Sequence, residues 1–507
     1  SFLSWRLGAT SRRDTTTAEL EVLTPLRIES FAFGGADTVI GAGRDRAQRS
    51  GAKLAARLDE QTAVALVGVA GGLAPELIPG DIIVASELRS TESTTSRDLP
   101  GSSLLSAEFR RARISVHHGP LVTSPRFIAS SDRAELAASG ALAVDMESSW
   151  VMDYLPNNPL AVVRAISDTS TRGPVRGGLR ALGTLSQTRA PLERWAKACG
   201  EHEVILASPR SFCAGVERAI ETVERALEQF GSPVYVRRQI VHNLHVVRGL
   251  ERRGAIFVEE LDDVPDGAVV VLAAHGVTPD VRRQGAERDS LTVIDATCPL
   301  VAKVHTEARR YAAQDYNVVL IGHGEHEEVE GTLGEAPEHI TLVANVADVA
   351  ELTLDERPVA YLTQTTLATD ETAEIIEALR RRYPGVTGPS TNDICYATQN
   401  RQDAVRSIAH RCDLLLVVGS ANSSNTARLV EVAQREGTRA ELIEDADHLE
   451  LSWLSGARSI GITAGASVPD VLVHGVVSSL ASLGPVHLSE ERIVNETVHF
   501  ALPTRVR

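Results

Sequence analysis

No run of about 18 uncharged apolar residues occurs in this sequence, so no transmembrane helix is expected. Basic residues are in deficit: 51 Lys and Arg stand against 67 Asp and Glu, a formal charge of −16. That balance excludes broad nucleic-acid binding, which needs a positive surface. It leaves room for a local anion pocket built from backbone N–H groups, histidines and hydroxyls. Only five cysteines occur, at 199, 213, 298, 395 and 412. A sparse, odd set in a long chain excludes a disulfide scaffold and points to a reducing, cytoplasmic compartment. No C-x-x-C pair is present, nor a Walker A loop, nor a G-x-G-x-x-G fingerprint.

What is present is alternation. With 507 residues, the chain is too long for one core. From about residue 19 onward, β-branched runs such as "AVALVGVAGG", "NVVLIGHG", "DLLLVVGS" and "SIGITAGAS" alternate with helical patterns such as "ERAIETVERALEQF". This predicts α/β layers with buried parallel strands. The opening stretch, 1–18, is Ser-, Thr- and Arg-rich without the apolar core of a secretory signal, and reads as a disordered tail. A basic, Gly-rich segment at 171–190 and a closing helix precede a fresh strand, "EVILA". The expected division is therefore 19–200 and 203–507.

In the second half, Cys213, Cys298 and Cys395 each follow an apolar or extended segment at a turn, 85 and 97 residues apart. Similar spacing suggests three α/β units contributing to one centre. Cys412 and Cys199 read instead as core or incidental residues, the commoner fate of free cysteine. Position alone leaves the three turn cysteines open as nucleophiles, metal ligands or filler. Polar strand ends supply a second ingredient: His242 and Asn243, His275, His326 and Glu328, Thr365 and Thr366, Ser423, Ser424 and Asn425, and Ser467. A set rich in neutral donors, with helices starting after several of them, suits a diphosphate.

The motifs "SPRSFCAGVERAIE", "VHN", "AAHGV", "DATCPLVAKVH", "GHGEHEEVEGT", "TQTTL", "NDICYATQNRQ", "VVGSANSSNT" and "TAGASVPD" run in order from residue 203 to about 500. This half resembles the LytB/IspH-type 4-hydroxy-3-methylbut-2-enyl diphosphate reductases of the non-mevalonate isoprenoid pathway. The resemblance implies three pseudo-symmetric lobes around a 4Fe–4S cluster held by Cys213, Cys298 and Cys395, with one iron lacking a protein ligand. It implies Glu328 as proton donor, aided by His326 and Thr365. It implies a pocket of His242, His275, His326, Thr366, Ser423, Ser424, Asn425 and Ser467 for the substrate, and ferredoxin or flavodoxin as electron donor. A non-catalytic iron–sulfur sensor is the competing reading. Two positions depart from the family's habit: Ser211 replaces a glycine and Glu327 a proline.

The first half carries "GVAGGLAPELIPGDI", a strand, Gly-rich turn and strand, followed by "VDMES" and "RAISD". It resembles the purine nucleoside phosphorylase/methylthioadenosine nucleosidase family, and within it the hopanoid-associated branch. By that resemblance Met146 and Glu147 grip the ribose, Asp168 meets purine N7, and Glu29 activates water. The substrate implied is an adenosyl nucleoside such as adenosylhopane. No arginine-containing phosphate motif is evident, which favours hydrolysis. A non-catalytic scaffold or homodimerisation module is the alternative.

Overall fold

In the computed structural model, residues 18–128, 130–170 and 174–507 are described. The expected disordered tail, but for its last residue, lies outside them. The α/β expectation holds, and two compact units are present. One comprises the chain to Glu203 with Asp447–Arg458 and Val476–His487; the other comprises Val204–Ala446, Ser459–Gly475 and Leu488–Arg507. Among the described residues no helix is long and apolar enough to cross a membrane.

The first unit is built on an eight-stranded sheet. Strands Ala63–Gly72, Ala143–Asp145, Val116–Thr123, Ile82–Ser90 and Leu160–Asp168 pair in a closed ring. Residues 63–67 are fully buried, as the apolar run demands. The glycines read from sequence as a turn after this run lie inside the strand instead. The reason is space: a Cβ on Gly68 would meet Arg164 Nη1 at 2.3 Å and Glu29 Oε1 at 2.9 Å. The missing side chain lets a buried guanidinium and carboxylate cross the sheet.

The second unit has three sheets. Ala255–Val258, Val234–Arg237, Val269–Leu272 and Thr292–Asp295 form a parallel sheet. Ile340–Val343, Asn317–Ile321 and Val359–Thr363 form another. The third runs Ala440–Ile443, Leu414–Val418, Ser459–Ala464, His202–Ser208 and Val486–Arg492, the last two strands belonging to this unit from Val204 and from Leu488 onward. Each turn cysteine stands where the chain leaves one lobe for the next. Cys213 follows the strand His202–Ser208 of the third sheet, and its helix Ala214–Phe230 packs Ala219 and Val223 against Val234 and Val236 of the first. Cys298 follows the first sheet, and its helix Pro299–Ala313 packs Val304 and Ala308 on Val318 and Leu320 of the second. Cys395 comes after the second sheet, and helix Tyr396–Ala409 packs Ala404 and Val405 on Ile205 and Leu415 of the third. Cys395 follows an irregular loop, not the extended segment that "TNDIC" suggests.

Arg401, fully buried, ties two of these crossings together. Its guanidinium donates to the Ser211 and Phe212 carbonyls at 2.7 and 3.1 Å, to Ala397 O at 2.9 Å and to Glu496 at 3.0 Å. Ser211 itself has φ 62, the left-handed region that glycine occupies without strain. Its hydroxyl donates to Asp470 at 3.1 Å. Arg401→Leu strands buried carbonyls and a carboxylate, so a loss of about 3 kcal/mol is expected in denaturant unfolding. A loss below ~1 kcal/mol would show that the clamp is dispensable.

Candidate active sites

The second unit holds a pocket of about 680 Å³. Thirteen residues singled out from this half line it: Cys213, Cys298, Cys395, His242, His275, His326, Glu328, Thr365, Thr366, Ser423, Ser424, Asn425 and Ser467. Asn243 does not; its Oδ1 accepts the Val246 N–H at 3.1 Å and caps the helix Leu244–Arg252. With the exception of Cys395, each of the thirteen lies beyond the carboxyl end of a strand, where open α/β sheets place ligands. Cys213, Cys298, Cys395, His326 and Ser423 are helix N-caps. Five helix N-termini therefore bring unpaired N–H groups and positive dipole ends to one pocket.

The three thiols surround a space kept free of side chains. A Cβ on Gly215 would stand 2.6 Å from Cys298 Sγ and 3.9 Å from Cys213 Sγ. Burial pushes the Cys395 thiol up to about 11 and that of Cys298 up to about 12, with Cys213 adding to both. Cys395 Sγ lies 3.1 Å from Thr398 Oγ1 and accepts the Thr398 N–H at 3.3 Å. Among the described residues no three His, Cys, Asp or Glu gather closely enough for a single metal ion.

Glu328 is 2 % exposed. Its carboxylate accepts the Thr365 N–H at 2.6 Å and the Thr365 hydroxyl at 2.9 Å. Burial outweighs these bonds and raises its pKa to about 7. His326 Nδ1 accepts the Glu328 N–H at 3.1 Å, so the neutral ring carries its proton on Nε2. His242 and His275 stack at 4.0 Å, and His326 meets both edge-on at 5.5 and 5.7 Å. Both His242 nitrogens are buried without a hydrogen-bond partner among the described residues. Buried polar atoms are rarely left so, which marks them as ligand contacts.

Sequence reasoning missed Gln364, which is 1 % exposed. Its Oε1 accepts the His323 N–H at 3.1 Å, which fixes the amide's orientation. Nε2 then donates to Thr366 Oγ1 at 2.9 Å and Ser424 Oγ at 3.3 Å. Thr366 also donates to Ser424 at 3.0 Å. Ser424 thus receives two donors, and its own hydrogen is free for a ligand. The motif "TQTTL" held the signal, since a glutamine beside two threonines at a strand end is a polar cluster.

The first unit has its own pocket, lined by Glu29, Met146, Glu147 and Asp168, the four residues expected there. Glu29 is 2 % exposed and accepts N–H groups of Leu26 at 2.7 Å and Val69 at 2.9 Å. Burial raises its pKa, against the pull of Arg164. Burial and Asp145 lift Glu147 to about 7. Arg164 is fully buried and pairs with Asp145 at 2.6 Å. Asp168 accepts the Ser167 hydroxyl at 2.6 Å and is ion-paired with Arg133. Arg133 was not expected: in "SSDRAEL" it has the look of a surface helix residue.

Three α/β lobes closing on a pocket of thiols, histidines and one buried carboxyl define a redox-type site for a small anion. Comparison with known proteins specifies this. The LytB protein family model matches residues 204–481, more than half of the chain, and the chain belongs to this family. The phosphorylase superfamily model matches residues 38–176. The 4-hydroxy-3-methylbut-2-enyl diphosphate reductase of Cutibacterium acnes is 57% identical over 312 residues, 61% of this chain and 96% of that one. Reductase 1 of Mycobacterium tuberculosis (strain CDC 1551 / Oshkosh) is 58% identical over 315 residues, covering 61% and 95%. The solved structure of the Plasmodium falciparum reductase aligns with a TM-score of 0.58 at 39% identity, covering 61% of this chain and 97% of that chain.

An infrared pH titration should show two buried carboxyls losing protons at about pH 7, of which Glu328→Gln removes one and leaves that of Glu147. A carboxyl signal unchanged by Glu328→Gln would contradict the burial assigned to Glu328.

Proposed function

We propose that the second unit reduces 4-hydroxy-3-methylbut-2-enyl diphosphate to isopentenyl and dimethylallyl diphosphates. The observation that carries this reading is one pocket holding three helix-capping thiols, a buried carboxyl whose pKa is raised to about 7 and a histidine with both ring nitrogens unpartnered. Reductases more than half identical to this unit support it.

Cys213, Cys298 and Cys395 would hold a 4Fe–4S cluster with one iron lacking a protein ligand. The helix N-termini that the three cysteines cap and the side-chain-free space at Gly215 fit an anionic group. When bound, such a cluster supplies electrons and a Lewis-acidic site. The chain does the rest. His242, His275, Ser424, Asn425 and Ser467 would bind the diphosphate through N–H and O–H donors. Thr365 holds the Glu328 carboxyl in place, and Glu328 holds a proton for the departing hydroxyl. His326 and Thr365 position that hydroxyl. Two electrons and two protons enter, and water leaves. The electrons would come from ferredoxin or flavodoxin.

For the first unit we propose hydrolytic release of adenine from an adenosyl nucleoside, with adenosylhopane among the candidates. Glu147 and Met146 would hold the ribose, Glu29 would activate water, and Asp168 would hydrogen-bond the leaving base. The absence of an arginine-containing phosphate motif from the sequence favours hydrolysis over phosphorolysis.

Anaerobically reconstituted protein with reduced methyl viologen should turn over the diphosphate substrate. Glu328→Gln should keep its iron yet lose at least about 100-fold in kcat. Cluster-loaded protein without turnover would favour the sensor reading. Glu29→Gln should slow adenine release by about 100-fold, independently of phosphate. Silence from methylthioadenosine, adenosylhomocysteine and adenosylhopane alike would leave the first unit a scaffold or homodimerisation module.

A further inference from the structure

Glu327 begins the helix Glu327–Leu333. Its Oε2 lies 3.4 Å from Nδ1 of His275, a buried nitrogen that makes no hydrogen bond among the described residues. The role inferred for it rests on the reading of this pocket as a diphosphate site. A diphosphate brings several negative charges, yet no lysine or arginine is among the described residues that line the pocket. Counter-charge has to come from imidazoles or helix ends.

The three histidines are not equivalent. His242 faces only the other two rings, and burial with their repulsion pushes it down to about 2. His326 uses Nδ1 to accept the Glu328 N–H, and burial pushes it down to about 4. His275 alone has a carboxylate at a ring nitrogen. The titratable groups facing it are His242, His326, Glu327 and, through its electrostatic field, Glu328. Arg238 acts on Glu327 from the other side and holds Glu330 at 2.7 Å.

We propose that Glu327 makes His275 the imidazole that takes up a proton when a diphosphate binds. A neutral ring with its Nδ1–H turned to Glu327 would present a bare lone pair on Nε2, which repels a phosphate oxygen. Adding one proton from solvent makes both nitrogens donors: Nδ1–H to Glu327 and Nε2–H to the ligand. The proton enters with the diphosphate and leaves with it. Glu327 is thus a positioning residue, acting on the ligand through His275. A proline in its place supplies no such partner.

Calorimetric titration of the holoenzyme with inorganic diphosphate, in two buffers of different ionisation heat, reads the proton directly. The parent should take up about one proton per diphosphate bound near neutral pH, and Glu327→Gln close to none. A neighbouring carboxylate favours the charged ring, so removing it moves the loss of binding to lower pH. Binding by Glu327→Gln should be about tenfold weaker than the parent's at about pH 8 and within about twofold at about pH 6. Glu327→Pro, tolerated at a helix's first position, should behave alike. Equal proton uptake by parent and variants, or tighter binding by the variants at every pH, would overturn the proposal. A parent that does not bind diphosphate at all would overturn the pocket reading itself, and this proposal with it.

Discussion

Three times the chain of the second unit leaves one lobe and enters the next, and each time a cysteine caps the helix that makes the crossing. The rest of the site depends on this convergence. A helix packed on the neighbouring lobe must start near the shared axis, and its first residue is carried there with it. Capping geometry then leaves N–H groups and a dipole end facing the centre. Arg401 locks two of the three crossings by bonding the carbonyls before Cys213 to the helix that Cys395 caps. The thiols are far apart in sequence and brought together by topology, with no local motif required.

Charge is handled sparingly in the pocket. No cationic side chain among the described residues lines it, and Glu328 is buried deeply enough to keep its proton near neutrality. Neutral donors whose hydrogens are aimed by their neighbours make up the remainder. Gln364 does this for Ser424, and Glu327 is proposed to do so for His275. The first unit uses the opposite scheme: Glu29, Asp145, Glu147 and Asp168 line or adjoin one pocket with Arg133 and Arg164, and each buried guanidinium is paired with a carboxylate.

Strand ends were legible because an apolar run that stops at His, Ser, Thr or Cys has one place to put the polar residue, beyond the sheet's carboxyl edge. That is why His242, His275, Glu328 and Ser467 could be named from sequence, together with Cys213 and Cys298. Cys395 was named on an extended reading of "TNDIC" that the irregular loop before it does not bear out, and on its similar spacing. Arg133, Gln364 and Arg401 escaped, or were passed over, because their work is done with partners far away in sequence: Arg401 with Ser211, Arg133 with Asp168. The glycines of Ala63–Gly72 were misplaced because a close approach by charged side chains leaves the same letter as a turn. Ser211 became intelligible only through its φ.

Three capping thiols holding one four-iron cluster, its remaining iron open to substrate, are the centre of the proposed chemistry. Mössbauer spectroscopy of the anaerobically reconstituted chain tests this most directly. One iron in four should change its spectrum when the diphosphate substrate is added, the other three staying as they were. Four irons that all ignore the substrate, or a reconstituted protein with a single iron, would contradict it.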